Sequence, residues 1–449
     1  MPAARLFLKE VVVLRQFTNS FSVFKIYPVL ISIGAVTLLS TLGQAVFILI
    51  LPLYLKETLG FTASFIGVAL GAYAVSETLV KTPLGFISDR VGRKAIIVFG
   101  IFLCLLVPVP ITLLHHPVQL ILLQIVNGAG VAAFWPVLAA LTADVVPVEN
   151  RSQAMTVFNL AYLVALSLGP ALGAFANHAA GNNAAAFYVA AFFLAAAAVT
   201  ATAAIPGSRR AGPPARETRA PTVKKEVTGY IKLLAGRPVL MAMLFISLLQ
   251  QFGTGLLAPV FVLFAKEQLG FTQADIGRVL ILPAVAVALL AMPFGRLADV
   301  AGKARAVRCA YAAAAPAIYL LTAAGGFAVW QVLISVVGLA YVTGAPAWTA
   351  LASMAAPQGR GGGTIAAVGT MHSLGFILGP GVGGLLYDRV APAAPFYGCS
   401  TILLVCMVLV GLLVSEETIV AEKTAADGRG TDTRTDEHRH PGKKSAAGE

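Results

Sequence analysis

Charged side chains are scarce: Asp, Glu, Lys and Arg make up only 12% of the 449 residues. Soluble domains carry about 25%, so a water-solvated globular domain is excluded and lipid must be the solvent for most of the chain. Cysteine is nearly absent, and Cys104, Cys309, Cys399 and Cys406 show no metal-ligand spacing. A disulfide framework and a thiolate metal site are thereby excluded, and all four are expected to be small core hydrophobes. No G-x-x-x-x-G-K-[ST] stretch occurs, so nucleotide hydrolysis by a P-loop has no seat here. Nowhere do aromatic residues interleave with a basic surface, which excludes nucleic acid as a partner. The first 28 residues lack the compact charged region, apolar core and small-residue cleavage site of a signal peptide.

What the chain has is apolar length and a repeat. It is 58% apolar, with a mean hydropathy of +0.84. The stretch from Gly85 to Lys94, GFISDRVGRK, returns in weaker form from Gly295 to Lys303, GRLADVAGK, displaced by 210 residues. The same displacement relates Leu59-Gly60-Phe61-Thr62 to Leu269-Gly270-Phe271-Thr272, Pro136 to Pro346, and Leu168-Gly169-Pro170 to Leu378-Gly379-Pro380. A single displacement across both ends of each half means two copies of one structural unit. In an all-helical membrane chain, two such halves facing each other across a pathway are the architecture of a secondary transporter.

A membrane span needs about 20 mostly apolar residues. Twelve are expected, at 29–54, 63–87, 95–114, 118–145, 154–176, 184–205, 238–264, 274–298, 305–324, 328–352, 364–387 and 395–415. They form two six-helix bundles, 29–205 and 238–415. A basic linker, 206–237, joins the bundles, while 1–28 reads as an amphipathic helix on the membrane surface and 416–449 as a disordered tail. Of the 32 Lys and Arg residues, only Lys56, Lys266, Arg278 and Arg389 fall on one side, and Lys81 falls within a span. The positive-inside rule then puts both termini and the linker in the cytoplasm of a multi-pass inner (plasma) membrane protein. The net charge of +12 follows from that topology, with the lipid bilayer as partner.

The loop between the second and third spans has the form G-x-x-x-D-R-x-G-R-K, with Gly85, Asp89, Arg90, Gly92, Arg93 and Lys94 at its fixed positions. It resembles the signature loop of the major facilitator superfamily. That resemblance implies a twelve-helix fold of two pseudo-symmetric bundles and a cytoplasmic charge latch, assigned to Asp89, Arg93 and Asp144. Gly295, Asp299, Gly302 and Lys303 are the second copy. Span eleven carries Gly375, Gly379, Pro380, Gly383 and Gly384 as G-x-x-x-G-P-x-x-G-G, and span five carries the looser Gly169, Pro170 and Gly173. These resemble the helix-kinking motif of drug:proton antiporters in the same superfamily, where it sits in span five. In those exporters span four carries an Arg at the place of Gln124, and span one often carries an acid; here Ser40-Thr41-Leu42-Gly43-Gln44 is uncharged.

Two charges lie deep in span two. At ~1.5 Å per residue, Lys81 is ~12 Å and Glu77 ~18 Å from Asp89 along a continuous helix. A mid-bilayer charge costs ~2.5–3.5 kcal/mol on insertion scales, so such residues face a cavity or a partner. Their spacing of four allows them to pair. The second half has Val287 and Ala291 at these positions, so folding of the repeat does not require the pair. Glu77 is the candidate proton carrier and Lys81 its partner; a packed structural ion pair is the competing reading. His372 is a further coupling candidate, against a neutral histidine bonded to a neighbouring carbonyl. Gln44, Gln124, Asn127, Trp135, Asn159, Gln250 and Gln251 are candidates for a substrate cavity, or for polar contacts between helices.

The expected function is alternating-access transport of a small molecule by a monomer, with no enzymatic activity, no metal, and no cofactor beyond an ion gradient of protons. Export of a moderately hydrophobic compound is the leading reading. Uptake of a sugar or organic anion is the alternative, and a non-transporting sensor or scaffold is the remote one.

Overall fold

The computed structural model describes residues 27–147, 150–207, 237–356 and 361–422. Nearly all of 1–28, most of the linker 206–237 and the tail from residue 423 lie outside the described residues. Every expected span is a helix: α1 (Val29–Thr58), α2 (Ala63–Val91), α3 (Arg93–Leu113), α4 (Pro117–Asp144), α5 (Arg151–Ala180) and α6 (Ala185–Ala204) form the first half. The second half has α7 (Pro238–Leu269), α8 (Gln273–Val279, continuing as Ile281–Ala301), α9 (Lys303–Leu321), α10 (Phe327–Ala355), α11 (Gly361–Arg389) and α12 (Ala394–Leu413). Ten are long and apolar enough to cross a bilayer on composition alone. The other two are α8, interrupted at Leu280, and α9, which opens with Lys303, Arg305 and Arg308.

Local chemistry places the helix ends. Thr62 caps α2 by accepting from the Phe65 N–H, and Thr272 forms a reciprocal capping box with Asp275 at the matching start of α8. Such caps contribute about 1 kcal/mol each. Gly92 (φ 108°) turns the chain from α2 into α3, and Gly302 (φ 96°) repeats the turn from α8 into α9. A side chain is strained at such angles, which explains the glycine in both copies. These turns mark what we term the basic end of the bundle; the Gly60 and Gly270 turns mark the far end.

Packing obeys the repeat. In the first half α1 packs on α5 and α6, α2 on α4, and α3 on α4; α7, α8 and α9 pack on α11, α12 and α10 in the same pattern. The halves meet through α2 against α11 and through α5 against α8, pairs that the 210-residue displacement exchanges. Burial on α2 is concentrated between Ala63 and Ser76, whereas Leu79, Phe86 and Val91 toward the basic end are exposed. The halves are therefore joined at the far end and parted at the basic end.

Two expectations need correction. Residues 416–422, assigned to a disordered tail, are helical. Glu416 accepts from the Lys303 N–H at 2.6 Å and Glu422 from the Val239 N–H at 2.9 Å, with Ile419 buried between them. Two carboxylates thus satisfy the open N-termini of α9 and α7, where helix dipoles favour negative charge. The second correction concerns cysteine: Cys104, Cys399 and Cys406 are buried, but Cys309 is exposed, because it lines an open groove between α8, α9 and α10.

Candidate functional site

A cavity walled by polar and aromatic side chains is found in each half. The first, about 290 Å³, is walled by Thr41 and Gln44 of α1, Tyr73, Glu77 and Lys81 of α2, Trp135 of α4 and Tyr162 of α5. Glu77 and Lys81 form an ion pair at 3.7 Å, with side chains 30% and 46% exposed. Both side chains are thus partly exposed in the cavity wall. Trp135 packs against Phe158 and, edge-on, against Tyr162 at 5.5 Å, which fixes the aromatic side of the cavity.

The second cavity, about 260 Å³, has walls that include Gln250, Gln251 and Thr254 of α7, Tyr311 of α9, Tyr341 and Trp348 of α10, and His372 of α11. Tyr311 donates to Gln250 Oε1 at 2.9 Å, and the Trp348 indole donates to Ser247 Oγ at 2.9 Å. The repeat maps one cavity on the other: Thr41 onto Gln251, Gln44 onto Thr254, Val131 onto Tyr341 and Tyr162 onto His372. The charged pair has no such counterpart, since Val287 stands opposite Glu77.

Among the described residues, the buried side-chain polar atoms without a hydrogen-bond partner are Thr41 Oγ1 and His372 Nε2. One lies in the wall of each cavity. An unsatisfied buried polar group costs about 1–3 kcal/mol, a cost that a bound molecule or water in the cavity removes. The carbonyl partner expected for His372 is not found at Nε2.

Of the other cavity candidates, Gln44, Trp135, Gln250 and Gln251 line the walls. Gln124 and Asn127 line neither cavity and are buried. Asn127 accepts from Gln44 Nε2 at 3.0 Å, so it ties α4 to α1. Asn159 is exposed but lines neither cavity. An apolar helix gives no cue to which of its faces meets lipid, and these polar residues were assigned by composition alone. Tyr73, Tyr311 and Tyr341 were not anticipated; Tyr73 precedes Glu77 by four residues, which puts it on the same face.

At the basic end the residues expected to form the latch are joined by ion pairs. Arg93 donates to Asp144 Oδ2 at 2.6 Å and pairs with Asp89 Oδ1 at 3.3 Å, linking α2, α3 and α4. Lys94 donates to the Thr202 carbonyl on α6 at 2.8 Å, while Arg90 is exposed. In the second half Lys303 is held through its backbone by Glu416, and Met354 replaces the acid of Asp144. The side chain of Asp299 lies outside the described set. Gly85 and Gly295 have open space where a Cβ would stand.

The far end is closed by contacts the sequence reading did not assign. Asp388, at the end of α11, accepts from the Ala63 N–H at 3.2 Å, the Ser64 N–H at 2.7 Å and the Ser64 hydroxyl at 2.6 Å. It thereby caps α2 from the opposite half, with Lys56 at 4.0 Å. Lys266 of the second half pairs with Glu57 of the first at 2.6 Å. The glycine motifs supply the close approach these contacts require. A Cβ at Gly384 would overlap the Ala63 carbonyl, and one at Gly67 the Pro380 carbonyl. Within the halves, Gly169 and Gly173 pack on α1, and Gly375, Gly379 and Gly383 on α7. Pro170 and Pro380 stand inside helices that continue through them.

The model of the Major Facilitator Superfamily matches residues 33–252 and 243–443. Multidrug resistance protein 2 of Bacillus subtilis (strain 168) is 28% identical over 352 residues, covering 77% of this chain and 86% of that protein. Multidrug resistance protein 1 of the same strain is 24% identical over 359 residues, covering 79% and 88%. Among solved structures, a D-xylose-proton symporter superposes with a TM-score of 0.68 at 16% identity, covering 88% of this chain and 98% of that one. That likeness bears on the fold alone. With the family model spanning nearly all of the helical core, the chain belongs to the Major Facilitator Superfamily.

Proposed function

We propose that this transporter exports a moderately hydrophobic small molecule in exchange for protons. The observation that carries the reading is the Glu77–Lys81 pair, half-exposed in a mid-span cavity and absent from the otherwise matching second cavity. A carboxylate holds its charge more easily beside an ammonium than alone in a low-dielectric cavity. A cycle that parts the pair in one conformation therefore changes proton affinity between states, which is what coupling requires. The aromatic and neutral polar walls of both cavities suit an amphiphile, and the names of the two Bacillus relatives agree with drug export. The unsatisfied atoms of Thr41 and His372 are then contacts for that molecule, one from each half.

In this reading the basic end and both termini face the cytoplasm, on the distribution of Lys and Arg, and the conformation is open to the cytoplasm. The protein works as a monomer, because each monomer contains both halves of the pathway. Cysteines introduced at Ser208 and Ser445 should resist membrane-impermeant thiol reagents in intact cells; labelling from outside reverses the orientation.

The deciding experiment is transport in proteoliposomes under imposed pH gradients with a panel of amphiphiles. Glu77→Gln should abolish gradient-driven accumulation and leave downhill exchange largely intact. Lys81→Met should harm expression more, since it leaves an unpaired acid in the membrane, and removing both charges should restore expression without coupling. Retained accumulation in Glu77→Gln makes the pair structural. Co-movement of substrate and proton in the same direction makes the protein an uptake symporter.

A further inference from the structure

A second apolar space lies outside the pathway. A groove of about 360 Å³ opens between α8, α9 and α10, lined by Phe294, Ala298, Cys309, Ala313, Val336 and Leu339 among others. At the positions equivalent to Cys309 and Ala313 the first half has the larger Phe99 and Leu103. The groove also carries a charge the first half lacks. Arg305 lines its mouth and equally lines an adjoining polar pocket of about 480 Å³, shared with Lys303, Arg308, Glu416 and Glu417. The counterparts of Arg305 and Arg308 are Ala95 and Val98. Among the described residues, neither arginine has a carboxylate within ion-pair distance.

From this juxtaposition we infer that the α8–α10 groove is a binding site for an anionic phospholipid, its acyl chain in the groove and its phosphate at Arg305 and Arg308. The depth agrees: from Arg305 to Ala313 is ~12 Å along the helix, close to the ~15 Å hydrocarbon depth of one leaflet. The position agrees as well, because the arginines lie in the first two turns of α9, at the basic end where headgroups are found. Ala310 and Ala340 line both this groove and the second substrate cavity. A seated acyl chain therefore presses on the outer side of that cavity wall, and the lipid supports the cavity's shape.

Cys309 reports occupancy directly, since the other three cysteines are buried. The test compares N-ethylmaleimide alkylation of Cys309 in the intact protein, in phosphatidylcholine vesicles with and without phosphatidylglycerol. Phosphatidylglycerol should slow alkylation. At the repeat-related position, Phe99→Cys in a Cys309→Ser background should react equally in both lipids. Arg305→Ala and Arg308→Ala should each weaken the protection by about fivefold in the lipid concentration required. Ala313→Leu, which restores the residue of the first half, should leave fewer phosphatidylglycerol molecules bound in native mass spectra. Equal alkylation of wild-type Cys309 in the two lipids overturns the proposal, and this comparison needs no variant to fold. Protection that is the same at Phe99→Cys, or that survives loss of both arginines, also overturns it by making the effect a property of the bilayer.

Discussion

Replacing Asp388 by Asn should loosen the far end of the transporter and shift it toward the conformation open there. The carboxylate accepts three hydrogen bonds from the first turn of α2, at 2.6–3.2 Å, and its side chain is 18% exposed. An N-cap interaction is worth about 0.5–2 kcal/mol, and negative charge at a helix N-terminus about 0.3–1 kcal/mol. The Asn oxygen retains part of the cap and none of the charge, so we take a net loss of about 1–2 kcal/mol in the closed far end, discounted for access to water. That changes the ratio of the two conformations by about 5- to 30-fold. Spin labels at Ala179 on α5 and Gln268 on α7, one in each half and both exposed at the far end, read that ratio as a distance distribution. Asp388→Asn should add a longer distance to the population seen in the parent protein. Identical distributions would refute the reasoning, and would mean that the helix packing of α2 on α11 closes the far end unaided.

Three further outcomes follow from the same contacts. Arg93→Ala and Asp144→Asn should each reduce proteoliposome transport with normal membrane insertion, and a double-mutant cycle should give a coupling of about 0.2–1 kcal/mol; full turnover in both reduces the loop to a topology signal. Gly383→Ala should lower thermal stability in detergent by about 1–3 kcal/mol, because its Cβ would overlap the Leu256 carbonyl of α7. Glu416→Gln with Glu422→Gln should speed hydrogen exchange at the first turns of α7 and α9 and leave exchange at α1 and α3 unchanged, since these two carboxylates cap α7 and α9.

Much of the architecture was legible because it is repeated. Gly92 and Gly302 could be recognised as turns from sequence alone, and both adopt positive φ. Glu77 and Lys81 stood out because two charges in an apolar run have few physical explanations. The far-end gate was harder, although a signal existed: Lys56-Glu57 recurs as Lys266-Glu267 three residues before the Leu-Gly pair in each half. Its meaning depended on knowing that the halves converge there, so that Glu57 reaches Lys266 across the gap while Glu267 accepts from Tyr387. That Gln124, Asn127 and Asn159 stand outside the two cavity walls was not legible, because apolar residues cover both the lipid-facing and packed faces of a membrane helix, and the pattern that orients a soluble helix is missing. The tail from 416 to 422 was misjudged on polarity, when its acids are spent on helix ends.

The spacing of glycines along α2 suggests how the pathway closes at its other end. Gly67 sits against the Pro380 carbonyl of α11 at the far end, too close to admit a Cβ, whereas Gly85 has nothing within 4 Å of one. The two are 18 residues apart on a continuous helix, which is five turns and places them on one face, ~27 Å apart. Gly277 and Gly295 repeat that separation on α8, with Gly277 packed against Ala174 of α5 at the far end and Gly295 open. The same face of α2 thus carries one glycine that is a contact now and another that is free now. If the halves rock about the middle of this face, Gly85 becomes the close contact as Gly67 is released. Gly85→Leu should then leave the far-end-closed state as stable as before, because nothing opposes the new side chain there. It should cut transport severely by blocking closure at the basic end, and spin-label distances across that end should remain long in the presence of substrate. Undiminished transport by Gly85→Leu would place the closing surface on another face of α2.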